Sequence, residues 1–160
     1  MSFNPIRILE VIADYQFGLG AGKALFNEEI VKNLEIRYSR RTRRIRYALL
    51  NKIPYVSVRT SDGYLTLSIS AAKNLLENYK EFTNIVVIYN KFEDIVKKNK
   101  NVLVKYVKEV DRDLKAGSEV IVVNEDKKIL GIGRINLNGE EILGLKRGIA
   151  VKLRKIAKNV

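Results

Sequence analysis

A chain of 160 residues with 46% hydrophobic content can bury a real core as one domain or two small ones, and no run approaches the roughly 18 apolar residues of a membrane span. Cysteine and histidine are both absent, which removes disulfides, a thiolate nucleophile, a Cys-type zinc site and the usual general base. The formal charge of +12 is divided evenly, with 13 basic against 7 acidic side chains in residues 1–80 and 17 against 11 in residues 81–160, so both halves attract polyanions, nucleic acid first among them. Lys-rich faces kept for solubility are the competing account of that charge.

Met1-Ser2-Phe3-Asn4-Pro5 lacks the basic-then-apolar form of a signal peptide, so a cytoplasmic location is expected. Asn4 and Pro5 suit the cap and first turn of a helix. Ile6, Leu9, Ile12 and Ala13 fall at helical spacing and face a core, Arg7, Glu10 and Asp14 look outward, and the helix stops near Gly18. Gly18-Leu19-Gly20-Ala21-Gly22-Lys23 invites comparison with nucleotide-binding loops and fails it. No strand precedes it for a Rossmann turn, and the P-loop spacing between its glycine and the Gly-Lys end is wrong. A flexible turn is expected there, and no nucleotide cofactor.

Alternating runs at 34–38, 44–49, 55–59 and 64–68 predict a half-buried antiparallel sheet, with Ile36, Tyr38, Ile45, Tyr47, Val56, Val58, Leu65 and Leu67 on one face. Asn51-Lys52-Ile53-Pro54 and Ser61-Asp62-Gly63 read as hairpin turns. A helix over 70–79 follows, with Ser68 or Ser70 near its cap. The first domain, residues 1–80, is therefore helix, four-stranded sheet, helix.

The short junction at 80–83 argues for two domains held in a fixed relation. The second domain, residues 81–160, opens with a buried strand over 84–89. A short helix over 91–98 is expected to turn Phe92, Ile95 and Val96 inward and Lys91, Lys97 and Lys98 outward, and a strand over 102–107 follows. Glu119-Val120-Ile121-Val122-Val123 is a β-branched run ended by the turn formers Asn124-Glu125-Asp126. In the next strand, over 129–135, Gly131 and Gly133 mark a bulge, a barrel corner or a close backbone approach. Asn138-Gly139-Glu140-Glu141-Ile142-Leu143 forms a helical turn, and a strand over 148–154, apolar on one face and basic on the other, closes the chain.

Leu114-Lys115-Ala116-Gly117-Ser118-Glu119-Val120-Ile121-Val122-Val123-Asn124-Glu125-Asp126, then Ile129-Leu130-Gly131-Ile132-Gly133-Arg134, Asn138-Gly139-Glu140-Glu141-Ile142-Leu143 and Arg147-Gly148-Ile149-Ala150-Val151-Lys152-Leu153-Arg154, in that order, resemble the PUA domain, an RNA-binding β pseudobarrel. The version at the C-terminus of archaeal tRNA-guanine transglycosylases is the nearest likeness. Residues 13–26 resemble the small domain that precedes it there, and nothing resembles the catalytic barrel of those enzymes. The implied fold class is α+β: an N-terminal helix-sheet-helix domain with an antiparallel sheet, then a PUA-type β pseudobarrel.

Two sets of candidate RNA contacts follow. Arg37, Arg40, Arg41, Arg43, Arg44 and Arg46 place six guanidinium groups in ten residues across a hairpin tip, with no acid among them. Phosphate contact explains such a run, with edge protection of the sheet as the alternative. On the sheet's outer face Arg37, Arg44, Arg46 and Arg59 would join Tyr55 and Tyr64 as stacking surfaces, unless those tyrosines pack under a helix. In the second domain the resemblance to PUA implies RNA contacts at Lys91, Lys97, Lys98 and Lys100 on the helix side and at Arg134, Arg147, Lys152 and Arg154 on the strand side. Gly131 and Gly133 either admit an RNA backbone or serve barrel curvature.

The carboxylate pairs Glu140/Glu141 and Asp111/Asp113 are explained by capping and turn formation, so no catalytic residue, metal ligand or cofactor is assigned. The resemblance implies a non-catalytic protein that grips the acceptor stem and 3′ end of tRNA and assists archaeosine formation beside a catalytic tRNA-modifying subunit. A ribosome-assembly adaptor binding pre-rRNA is the alternative.

Overall fold

The computed structural model describes residues 4–158, so Met1–Phe3, the stretch read for a leader, lies outside it. The chain forms two compact units, Met1–Phe82 and Thr83–Val160. The division falls two residues later than the expected boundary at Lys80, because Phe82 is buried in the first unit with its ring edge-on to Phe17, centroids 5.6 Å apart. Among the described residues no helix is long and apolar enough to cross a membrane.

In the first unit α1 (Pro5–Phe17) starts where the Asn4 side chain accepts the Ile6 N–H, and it buries Leu9, Ala13 and Phe17. Asp14 does not look outward as its helical position implied. Its Oδ1 accepts the N–H groups of Gly20 at 3.2 Å and Gly22 at 2.7 Å, which folds the glycine segment into a fixed corner before α2 (Ala21–Leu25). The segment expected to be a flexible turn is thus tied at both ends, and Ala21, Ala24 and Leu25 are buried. The short α3 (Glu28–Val31) is capped by Asn27.

Strands β1 (Leu34–Tyr38), β2 (Ile45–Leu50), β3 (Ile53–Val58) and β4 (Leu65–Leu67) form an antiparallel sheet in sequence order, and α4 (Ile69–Asn78) follows with Ser68 as its cap. Its core-facing row is Ile36, Ala48, Val56 and Leu67, one residue per strand. Tyr47 instead lies opposite Arg37 and Ser57 on the other face, contrary to expectation. Bulges cause both departures. Arg46 is the extra residue between the Arg37 and Tyr38 levels, and Tyr55 is the extra residue between Val56 and Pro54, so the period of two breaks where the sequence pattern assumes it continues.

The second bulge turns Tyr55 into the core beside Val56, so it is no stacking surface. Its hydroxyl donates to the Leu25 carbonyl at 2.7 Å and accepts from Asn74 Nδ2 at 2.8 Å, tying α2, β3 and α4 together. Burial pushes its pKa from 10.0 up to about 12. A group kept neutral in the fold contributes stability that is present below the unfolded value near 10.0 and is lost as pH rises from there toward about 12. Tyr55→Phe is therefore expected to cost about 1 kcal/mol at neutral pH by removing the hydroxyl's two buried hydrogen bonds, while Asn74 Nδ2 keeps the Ala24 carbonyl at 3.0 Å. The variant should also lose less stability than the parent between pH 10 and 12 in chemical denaturation followed by circular dichroism.

The second unit holds β5 (Ile85–Ile88), α5 (Glu93–Asn99), β6 (Asn101–Leu103), β7 (Val107–Val110), β8 (Glu119–Val123), β9 (Ile129–Ile135), α6 (Gly139–Gly144) and β10 (Ile149–Ile156). They form one sheet in the order β6-β10-β9-β8-β5-β7, antiparallel except for the parallel pair β5 and β8. The strand expected over 102–107 is broken by a 3-10 turn, Val104–Tyr106, and its two halves lie at opposite edges of the sheet. A flat six-stranded sheet would set those edges roughly 24 Å apart. The four residue-to-residue steps from Leu103 to Val107 span at most about 14 Å. The sheet must therefore curl until its edges approach, and this closes a pseudobarrel around Val86, Val102, Val120, Val122, Leu130 and Val151. The molecule is thus α+β, a helix-sheet-helix unit followed by a PUA-type pseudobarrel.

Candidate nucleic-acid interface

In the first unit the topology sets the arginine hairpin. The β1–β2 and β3–β4 connections emerge at the same end of an antiparallel sheet taken in sequence order. They share one backbone design. Ser39 N–H donates to Arg44 O and Arg43 N–H to Ser39 O, both at 2.8 Å; Arg59 N–H donates to Tyr64 O at 2.8 Å and Gly63 N–H to Arg59 O at 2.9 Å. The residue at the fifth position is left-handed in each loop, Gly63 at φ +77° and Arg43 at φ +60°. The first loop therefore carries an arginine where its sibling carries the residue without a Cβ.

Arg40, Arg41, Arg43, Arg44 and Arg46 are all exposed, and among the described residues none of them pairs with a carboxylate. Arg37 is exposed but its Nε donates to Glu35 Oε1 at 2.8 Å, which separates it from the tip. Between the two tips opens a cleft of about 710 Å³ lined by Arg41, Arg44, Arg46 and Arg59. The Tyr64 ring lies under the Arg59 guanidinium and stacks on Tyr15, centroids 6.0 Å apart.

In the second unit one row crosses the pseudobarrel: Glu119 on β8, Arg134 on β9, Lys152 on β10 and Asn101 on β6, each opposite the next. Arg134 and Lys152 are exposed cations facing each other across the ladder, a repulsion that Glu119 opposite Arg134 offsets only in part, and Arg134 Nε donates to the Gly117 carbonyl at 3.2 Å. Lys100 adjoins them, because its carbonyl accepts the Leu153 N–H at 2.8 Å. Lys98 and Arg147 are exposed as well, Arg147 beside the exposed Leu145.

Three groups of residues in this unit are held by the fold itself. Arg154 is committed to Glu119: Nη1 donates to Oε1 at 2.9 Å and Nη2 to Oε2 at 2.7 Å, and Glu119 is fully buried. Gly131 and Gly133 are buried against their own chain. A Cβ on Gly131 would come 2.6 Å from the Lys155 carbonyl oxygen, and one on Gly133 would overlap the Lys152 carbonyl oxygen, so these glycines admit β10 rather than an RNA backbone. On α5, Lys97 is half-buried against Glu93 at 3.3 Å instead of lying outward, and Ile95 is exposed where a core position was expected, because only Val96 reaches the core fully.

Lys91 is exposed, with its Nζ over the rings of Tyr89 and Phe92. It stands apart from the Arg134/Lys152 row. It follows β5 at the level where β8 ends, whereas Arg134 pairs with Glu119 where β8 begins, a strand length of roughly 13 Å away. Sequence alone did not mark Glu119 as a partner of the basic face, although a lone acid heading the run Val120-Ile121-Val122-Val123 was the available signal. Arg59, expected on an exposed face, turns inward. The Asp62 three residues later, which pairs with it at 3.1 Å, was the sign of that.

A curled sheet closed by a split strand, preceded in the chain by a small antiparallel sheet with helices, defines a two-unit protein of the PUA type. Residues 84–157 match the PUA domain, and residues 7–81 match the patch-forming domain C2 of tRNA-guanine transglycosylase, so the chain carries one domain of each kind in that order. It is 39% identical over 152 residues to the tRNA-guanine(15) transglycosylase of Methanobrevibacter smithii and 35% identical over 149 residues to that of Thermococcus kodakarensis. Those alignments take in 95% and 93% of this chain but only 22% and 25% of the enzymes. Among solved structures, a hypothetical protein of Pyrococcus horikoshii OT3 superposes with a TM-score of 0.74 at 20% identity, over 99% of this chain and 93% of that one. A PUA-domain protein of Aeropyrum pernix K1 gives 0.69 at 14% identity, over 100% and 85%. The part of the transglycosylases that this chain resembles is the C2 and PUA region, outside their catalytic domain.

Proposed function

We propose that this protein is a non-catalytic tRNA-binding subunit that holds the acceptor stem and 3′ end on its PUA unit and presents the tRNA to a tRNA-guanine transglycosylase-type partner for archaeosine formation. The observation that carries the reading is the Arg134–Lys152 pair: two exposed cations set directly opposite each other on adjacent strands, with Lys100 beside them, in the domain that the transglycosylases also carry. Phosphate oxygens offset that repulsion further, and exposed cations on a sheet surface suit recognition of A-form shape more than of base edges. The arginine tip of the first unit adds a second contact for an anion, since its guanidinium groups pair with no carboxylate among the described residues. Gripping and positioning fit the residues present better than catalysis, because the chain has neither histidine nor cysteine.

The test is binding of the purified chain to a full-length tRNA and to the same tRNA lacking its terminal CCA, followed by anisotropy across a salt series. Tight binding that weakens at least about tenfold without the CCA, and that falls steeply with salt, is the expected result. Equal affinity for both forms would remove the 3′ end from the proposal. Preference for a precursor ribosomal RNA over tRNA would replace it with the ribosome-assembly role.

A further inference from the structure

The two edges of the first unit's sheet are finished differently. At β4 the Gln16 side chain closes the edge, its Nε2 donating to the Leu65 carbonyl at 2.9 Å and its Oε1 accepting the Leu65 N–H at 2.7 Å. β1 pairs only with β2 among the described residues. The Asn51 N–H donates to the Asn33 carbonyl at 3.2 Å, which continues the register of Leu34 opposite Leu50 as a hydrogen-bonded pair. By alternation Glu35 and Arg37 also turn their backbone groups toward β2. Leu34, Ile36 and Tyr38 therefore point their N–H and C=O groups to the free side, where no described residue bonds them. An open strand of this kind is a template for another strand.

We infer that β1 is a self-association edge, on which a second copy of this chain lays its own β1 antiparallel about a two-fold axis at Ile36, joining the two four-stranded sheets into one. The charge pattern selects that register. With the axis at Ile36, each Ile36 forms a hydrogen-bonded pair with its counterpart and each Leu34 with the other copy's Tyr38, so every outward backbone group of the three residues finds a partner. Glu35 then faces Arg37 of the other copy at a non-hydrogen-bonded position, where opposite Cα atoms approach to about 4.5 Å and side chains are closest. Moving the axis to Glu35 or to Arg37 sets two like charges against each other instead. Within one copy the two side chains already meet at 2.8 Å and are half-exposed, so the second copy's pair completes a ring of alternating charge. On the opposite face Ile36 meets Ile36 and Leu34 meets Tyr38, which is 51% exposed in the single chain. Edge charges of one sign repel every copy, whereas a Glu and an Arg two residues apart on one face attract at this one register. The formal charge of +12 on each copy opposes the contact, which makes a weak dimer the expected form.

The experiment is sedimentation velocity on the intact chain near physiological salt, from about 5 to 500 μM, with circular dichroism to confirm that each variant is folded. The parent should pass from monomer to dimer with a Kd of roughly 10–100 μM. Glu35→Arg and Arg37→Glu each place like charges opposite each other at two positions, and each should weaken dimerisation at least about tenfold. Arg37→Glu also lowers the net charge of +12 by two, so general repulsion alone predicts tighter association where the register predicts looser. An equimolar mixture of the two variants restores opposite charges at both positions and should form a heterodimer of about parental affinity, as should the chain carrying both substitutions with itself. A parent that stays monomeric across the range overturns the second copy as occupant and leaves the edge to a strand of a different protein. Dimerisation that ignores both charge reversals, or a mixture that fails to associate, overturns β1 as the contact and moves it to another face, the exposed Val11 and Tyr15 of α1 first among them.

Discussion

Arg154→Ala is expected to destabilise the second unit by on the order of 3 kcal/mol, because it removes the bidentate cationic partner of a fully buried carboxylate. The guanidinium holds both oxygens of Glu119, at 2.9 and 2.7 Å, and Val120, Ile121, Val122 and Val123, which follow on the strand, are all buried. The figure sits at the lower end for broken buried pairs because the Arg154 side chain is 41% exposed, so water enters part of the space it leaves. For a unit of this size that loss lowers the melting temperature by roughly 12–24 °C. Adding Glu119→Gln to the variant should recover a substantial part of the loss at neutral pH. RNA affinity of the folded variant should stay within about threefold of the parent, because Lys152 and Arg134 remain in place. A stable variant that has lost RNA binding would return Arg154 to the interface.

That pair also shows where sequence reasoning reached and where it stopped. Alternation on β10 put Lys152 and Arg154 on one basic face; both are exposed, and Arg154 is the extra residue of a bulge between Leu153 and Lys155. Period two says which side of a sheet a residue occupies and nothing about what stands opposite. The partner of Arg154 lies 35 positions earlier, across β9, and only the order β10-β9-β8 brings it near. The glycines of β9 were legible as a close approach. Which backbone approaches was not, because that depends on the pairing of Gly133 with Leu153.

Caps and turns were read more closely than faces. Asn4, Ser68 and the Asp62-Gly63 turn stand where their local chemistry places them, since each acts through bonds spanning two or three residues. The faces of β2 and β3 went astray at single-residue bulges, which leave no mark in an apolar pattern. The break at Val104–Tyr106 was hidden for a related reason: Val102, Val104 and Tyr106 are all buried, so burial alternates without interruption through a chain that changes sheet edge. Local propensity and burial are thus satisfied on both sides of a turn whose role is only visible in the closed sheet.

Removing the guanidinium groups of the β1–β2 tip should separate binding from folding more cleanly than any other change, because Arg43 stands in a conformation that glycine prefers. At φ +60° its Cβ is disfavoured, and Gly63 occupies the matching place in the sibling loop. Arg43→Gly is therefore expected to leave stability unchanged or raise it by up to about 1 kcal/mol, while weakening RNA binding severalfold. Combined with Arg40→Ser, Arg41→Ser and Arg44→Ser it should reduce affinity about a hundredfold near physiological salt and flatten the slope of log K against log salt by roughly three, at about 0.7 for each single-strand phosphate that is no longer neutralised. The reduction should be similar for RNAs of unrelated sequence, since phosphate contacts position without reading bases. Relief of the mutual repulsion among these exposed cations adds to stability in the same variant, so weaker binding cannot be assigned to a damaged fold. A salt slope that survives all four substitutions would mean that the run guards the sheet edge against pairing with other chains, and self-association of the variant on sizing chromatography would then accompany unchanged RNA affinity.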